Sequence, residues 1–341
     1  MSYDEDEIMR RRRFILDVLQ AAGLAIAPGV IDSAARLELH EASGSMAHQV
    51  AELEQTAHLR ALEWPTVPAV DQLPRLLHDF TGAWHLAVQA KGKRHARVHG
   101  SMAYLAGLLA SNLTEQAAYE RARAWYRRGY LHAELAGDRE AQGWLAARWT
   151  AIAWYLGDNR QVLADAAFAQ MRSPLGQLGS MLAPALAASA AARMGPRYRV
   201  VAQQALDDAR RGADYRGEET FTAYSFPSYQ FGRFESEVFT RLGDTRRAYA
   251  LQDQALAGFP AGAVASPAFI RLDQADCLRQ DGDPKEAARH ATQAVLALPP
   301  ERALPIILDR GNALATAIGA AGGDDTDHLR HVLRQVRSGS G

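Results

Sequence analysis

The sequence predicts an all-α chain, a solenoid of about six stacked helix pairs. Two stretches repeat one another: Leu242-Gly243-Asp244, Ala248, Ala255 and Pro260 fall on the same offsets as Asp281-Gly282-Asp283, Ala287, Ala294 and Pro299, 39 residues later. Glycines 157, 195, 243 and 282 punctuate the chain at intervals of 38, 48 and 39 residues. Between them apolar residues recur at helical rather than strand spacing. A pair of helices joined this way needs a glycine that accepts positive φ at the turn and an Asp that caps the next helix. Small Ala residues let the two helices approach, and a Pro closes the second.

In chain order, residues 1–9 are acidic and Arg10-Arg11-Arg12-Arg13-Phe14 leads an apolar stretch to Ala27. The pattern has the outline of a twin-arginine export signal with an Ala-x-Ala site, but Asp17 interrupts the apolar region and the leader is acidic, so an amphipathic first helix is the favoured expectation. Residues 31–64 carry two helical patterns broken at Ser43-Gly44-Ser45, and Trp64-Pro65-Thr66-Val67-Pro68 ends them because a residue before Pro avoids the helical region. Residues 1–68 are therefore expected as an N-terminal helical segment, 69–336 as the repeat array and 337–341 as a flexible tail. Leu73, Leu76, Leu77, Phe80, Trp84 and Val88 share one side of a helix over 71–90. Further pairs are expected over 96–136, 139–171, 175–213 and 302–336, and the two repeated segments lie within the stretch from Phe231 to Pro300. The longer middle interval marks an insertion from Asp214 to Pro227, expected as a surface loop.

The repeated residues resemble the tetratricopeptide (TPR) repeat: Ala275, Leu278, Gly282, Ala287, Ala294 and Pro299 occupy its signature positions, while Arg271 stands where the pattern has a large aromatic. More widely, residues 10–336 resemble the C-terminal sensor region of actinobacterial XRE-type helix-turn-helix transcriptional regulators. The Arg10–Leu24 segment, Trp154-Tyr155-Leu156-Gly157-Asp158, the block from Phe226 to Glu235, and Ala297-Leu298-Pro299-Pro300 with Arg302 carry that likeness. The resemblance implies a right-handed TPR-like superhelical solenoid that senses a signal and acts in transcription regulation. No helix-turn-helix DNA-binding unit is found before Arg10 or in 31–62, so direct sequence-specific DNA binding is not expected, and the chain is either a stand-alone relative or one that acts through a partner.

Composition narrows the rest. The chain has 341 residues with Lys+Arg 38 against Asp+Glu 39, a formal net charge of -1, so its overall field attracts neither nucleic acid nor anionic lipid. No apolar run is long enough to span a bilayer. Cys277 is the single cysteine, which excludes an intramolecular disulfide and a cysteine zinc cluster and fits a reducing cytoplasm. Lys91, Lys93, Arg94, His95, Arg97 and His99 form a basic cluster without interleaved aromatics, read as a solvated helix start. His95 and His99 stand one turn apart, a metal-ligand spacing lacking a third ligand nearby in sequence. No phosphate loop, zinc-protease helix or nucleophile elbow occurs, so neither an enzyme nor a cofactor is expected.

The TPR resemblance implies a concave groove lined by one face of each first helix. The matching positions include Trp144, Ala147 and Trp154, then Gln230, Arg233, Glu237, Asp276 and Arg279. Arg233 and Arg279 would take carboxylates or a chain terminus, and the tryptophans an apolar side chain. An alternative stays open, in which Arg233–Glu237 and Asp276–Arg279 simply pair along their helices for roughly 0.2–0.5 kcal/mol each. The expected function is a non-enzymatic sensor that binds a peptide or small molecule and acts through a protein partner. A constitutive protein-protein interaction scaffold is the alternative, an exported factor is a weaker third reading, and homodimerisation through a terminal helix pair stays open.

Overall fold

The computed structural model describes residues 45–64, 66–213, 222–260, 262–299, 303–320 and 326–339. The arginine-phenylalanine segment, most of the 214–227 insertion, Pro300, Arg302 and the last two residues lie outside them. Among the described residues there are fourteen α-helices and no strand. They are α1 Met46–Glu63, α2 Ala69–Gln89, α3 Lys93–Glu115, α4 Tyr119–Ala136, α5 Arg139–Tyr155, α6 Asn159–Arg172, α7 Leu178–Arg193, α8 Arg199–Ala213, α9 Ser228–Arg241, α10 Thr245–Gly258, α11 Ala265–Gln280, α12 Pro284–Leu296, α13 Pro305–Ala320 and α14 Thr326–Gly339. None is long and apolar enough to cross a membrane.

The chain divides into two compact units, Met1–Thr114 with Ala118–Ala141, and Glu115–Ala117 with Gln142–Gly341. The Trp64–Pro68 break therefore lies inside the first unit, between α1 and α2, which pack together. Buried Val50, Leu53, Ala57 and Ala61 supply the inward stripe of α1. From the second helix, Leu73, Leu76, Leu77 and Phe80 are buried, whereas Trp84 and Val88 remain partly open.

In the second unit, α7 packs on α8, α9 on α10, α11 on α12 and α13 on α14. The first helix of each pair also meets the first helix of the next, α7 on α9, α9 on α11 and α11 on α13. Their turns follow the repeated sequence. Gly243 and Gly282 have φ of 78° and 91°, and each is followed by an Asp whose side chain accepts from the backbone three residues on, Asp244 from Arg247 and Asp283 from Glu286. The Asp244 N–H returns to the Phe239 carbonyl and Gly243 N–H to Thr240, and the Asp283 and Gly282 amides do the same at Leu278 and Arg279. These two returning bonds satisfy carbonyls a helix end leaves open and require a left-handed residue between them, hence glycine. Ala248, Ala255, Ala287 and Ala294 are buried at the crossings.

α7 is the centre of the unit, buried on every side from Leu178 to Ala192. Its composition explains this: with mostly Ala, Ser and Gly along it, α6, α8 and α9 can all approach. One close approach is at Gly212 of α8, where an added Cβ would stand 2.6 Å from the Ser180 carbonyl oxygen and 2.9 Å from Met181 Cγ. Gly212→Ala is expected to cost about 1–3 kcal/mol by forcing the helices apart. A lowered urea midpoint with unchanged helical content checks it.

Candidate functional site

Position 233 carries a long cationic side chain on the first helix of a pair, facing neighbouring first helices rather than solvent. Arg233 is only 8% exposed, and its guanidinium carbon lies 3.8 Å from the Phe234 ring centroid, 5.2 Å from that of Phe269 and 5.5 Å from that of Trp154. The three rings form one cluster, with Trp154 5.9 Å from Phe234 and 6.1 Å from Phe269. Trp154 is held from behind, since its Nε1 donates to Ser189 Oγ at 2.7 Å and the Arg193 guanidinium lies 4.2 Å from its ring centroid. Among the described residues the Arg233 guanidinium makes no hydrogen bond or ion pair, and its Nε is buried without an acceptor. Burial pulls its pKa down, with Glu237, Tyr155 and Asp273 acting in the other direction.

Glu237 sits one turn further along α9, yet its partner is on another helix. Arg193 of α7 donates from Nε at 2.9 Å and from Nη2 at 2.6 Å to Glu237 Oε1, while Oε2 is buried without a donor. Burial pushes the Glu237 carboxyl up, and the guanidiniums of Arg193, Arg241 and Arg233 outweigh it, leaving its pKa below the usual value. Arg241, one turn beyond, likewise has a buried Nε without an acceptor. On α11, Arg279 donates to Asp276 at 2.9 Å, and Arg310 of α13 donates to Asp273 and lies 3.7 Å from Asp276. Three carboxylates thus engage Arg193, Arg279 and Arg310, while Arg233 and Arg241 have no carboxylate of their own among the described residues.

The sequence candidates therefore separate. Trp154, Arg233 and Glu237 meet in one place, linked through Arg193, and Asp276 and Arg279 belong to the adjoining carboxylate group on α11. Gln230 is half-buried and accepts from Ser266 at 3.4 Å. Trp144 packs edge-on to Tyr224 and donates from Nε1 to the Ala223 carbonyl at 3.0 Å. Both tryptophans are packed in, Trp144 at 3% and Trp154 at 2% exposure, so neither presents an open apolar platform. The described end of the insertion is packed in as well: Ala223 is buried, and its carbonyl takes Arg148 at 2.7 Å besides Trp144. Of the two helical pairings weighed from the sequence, Asp276–Arg279 forms and Arg233–Glu237 does not come within ion-pair distance. Arg193, Phe269 and Arg310 were missed because nothing local in the sequence aims them at this cluster.

A second polar cluster lies in the first unit. His99 Nδ1 is 2.8 Å from His132 Nδ1, and His99 Nε2 is 3.0 Å from His95 Nε2. The rings of His99 and His132 are stacked at 4.9 Å, and Phe80 meets the edge of His132 at 6.0 Å. Because His99 uses opposite nitrogens toward its two neighbours, the rings form a hydrogen-bonded line and do not converge on one point. Among the described residues no group of three or more His, Cys, Asp or Glu is placed to hold a metal ion. Of the basic cluster around these histidines, Arg97 is engaged by Glu54 at 2.6 Å across helices. Burial pushes the Cys277 thiol up to about 11, which disfavours the thiolate that nucleophilic chemistry needs.

No protein-family model matches the chain, and no curated protein or solved structure matches it either.

Proposed function

We propose that this chain is a non-enzymatic regulatory module, built of TPR-like helix pairs that wind into a right-handed superhelix. In this reading it binds a peptide or small molecule on the face formed by the first helices α7, α9, α11 and α13. It acts through a protein partner in transcription regulation in the cytoplasm, the part of the proposal that rests on the sequence resemblance. One observation supports the binding site above the others: a guanidinium enclosed by three aromatic rings, with no acceptor among the described residues. Arginine cannot shed its proton, and a buried charge without a partner costs stability, so a cation kept in this state suits an incoming ligand. Signalling requires that the ligand prefer one packing of the first helices over another.

The test is a thermal-shift comparison of the protein with and without the low-molecular-weight fraction of its host's cell extract. Arg233→Gln is the companion variant, because Trp154 is too deeply packed to be removed without loss of fold. A component present at 100 times its Kd is expected to stabilise the wild type by about 2.7 kcal/mol and the variant far less. If no fraction shifts the wild type and one protein co-purifies regardless of extract, the scaffold reading replaces the sensor.

A further inference from the structure

Two sequence features, the basic cluster around Lys91 and the arginine-phenylalanine segment near the start of the chain, stand apart from the Arg233 site. The basic cluster lies in the first unit, where α2 ends at Gln89 and α3 begins at Lys93. His99 of α3 meets His132 of α4, and a Cβ added at Gly100 would stand 3.9 Å from the Ala136 Cβ. So α3 begins at the end of the unit where α4 finishes, and the short 90–92 connection brings the last turn of α2 to that same end. Phe80 of α2 is covered by α4, its ring 5.0 Å from that of Trp125 and 6.0 Å from that of His132. One and two turns on, Trp84 and Val88 continue the stripe of Phe80 and open to solvent. Leu131 and Leu135, one turn apart on α4, are each more than half exposed. Single apolar side chains on a surface are ordinary, but four gathered at one end of one unit form a patch.

Unpaired charges border that patch. Lys91, Lys93 and Arg94 are exposed and form no ion pair among the described residues, and neither does Glu134, exposed between Leu131 and Leu135. The segment near the start of the chain carries the complementary order: Asp4-Glu5-Asp6-Glu7, then Arg10 to Arg13, then apolar residues from Phe14 to Ala27. Within it Ile15, Leu19, Ala22 and Ile26 recur at the spacing of one helix face, with Asp17 and Gln20 on the opposite side. Ala27 stands 18 residues before Ser45, the N-cap of α1 in this same unit. A connection of that length spans up to about 60 Å, so the segment reaches the patch. It also holds the segment at about millimolar effective concentration, which favours the chain's own segment over that of a second copy.

We infer that residues 14–27 of this chain are the occupant of the apolar patch formed by Trp84, Val88, Leu131 and Leu135. The acidic residues 4–7 then lie over Lys91, Lys93 and Arg94, the arginines over Glu134, and Ile15 and Leu19 against Leu135 and Leu131. The segment is thereby an intramolecular docking element and not an export leader, and it covers a face that would otherwise take up other apolar chains.

The experiment is disulfide trapping in the full chain, with Ile15→Cys combined with Leu135→Cys and, as a matched control, with Leu296→Cys in the second unit. Leu135 and Leu296 are both 59% exposed. Cys277, the single native cysteine, is buried with its thiol pushed up to about 11, so it does not compete. On mild oxidation the Leu135→Cys combination is expected to close within one chain about tenfold or more faster than the control. Lys91→Glu, Lys93→Glu and Arg94→Glu together are expected to slow that closure severalfold without lowering the melting temperature, because all three side chains are exposed. Adding Asp4→Lys, Glu5→Lys, Asp6→Lys and Glu7→Lys is expected to restore it, a rescue that a folding defect would not show. Equal closure at Leu135→Cys and the control overturns the inference, and closure indifferent to the charge reversals overturns the placement of the acidic residues. A disulfide found only between chains by intact mass overturns it in favour of a second copy. A native chain that starts near Pro28 overturns it as well, because the segment is then a removed leader.

Discussion

Arg193→Met is expected to destabilise the second unit by about 3–5 kcal/mol, because it strips both donated hydrogen bonds from a carboxylate that has no other donor. Glu237 accepts from Arg193 alone among the described residues, its side chain is 5% exposed and its Oε2 is buried without a donor. The variant also loses the guanidinium over Trp154 and its bond to the Trp154 carbonyl at 3.3 Å, so α5, α7 and α9 loosen at one point. The double variant Arg193→Met with Glu237→Gln is expected to recover much of the loss, since no buried carboxylate charge remains. Urea unfolding of the wild type, both single variants and the double variant measures the coupling. A single-variant loss below 1 kcal/mol would mean that Arg233 or Arg241 swings in to replace the missing partner.

Acidification is expected to weaken the first unit by about 3 kcal/mol between pH 6.5 and 4, from the histidine line. Burial, then the neighbouring His99 and Arg128 charges, lowers the His132 pKa from 6.5 to about 4, and burial and His95 lower that of His99. A histidine with a depressed folded-state pKa binds fewer protons when folded than when unfolded. Its stabilising contribution is therefore complete above pH 6.5, declines as pH falls toward 4 and does not decline further below. Proton counting gives the same direction. Each of the two N···N contacts holds one proton, and one extra proton can sit on an outer nitrogen, His95 Nδ1 or His132 Nε2. A second must set N–H against N–H and break a contact. Hydrogen exchange of the α3 and α4 amides across this pH range checks it. His132→Gln, which hydrogen-bonds without titrating, is expected to flatten the dependence, and an equally steep variant would assign the effect to other groups.

How much of this was legible beforehand differs by kind of feature. The all-helical chain, the glycine-aspartate turns and the alanine crossings are written in short spans, because a turn needs its own few residues to adopt a left-handed angle and cap a helix whatever lies elsewhere. Arg233, Glu237, Asp276 and Arg279 were also legible as polar positions on first helices, since helical periodicity places them on a face. Their partners were not. Asp276 pairs with Arg279 three residues away, as local spacing allows, but Glu237 ignores Arg233 four residues away for Arg193, 44 residues back. Similarly His95 and His99 were visible as a one-turn pair, whereas His132 joins them from 33 residues beyond. The sequence by itself determined helix, turn and stripe, which depend on backbone geometry within a few residues. Only the tertiary structure decided which stripes meet, which guanidinium each carboxylate takes and which is left without one. That outcome depends on how side-chain volumes along whole helices interlock, and no local spacing encodes it.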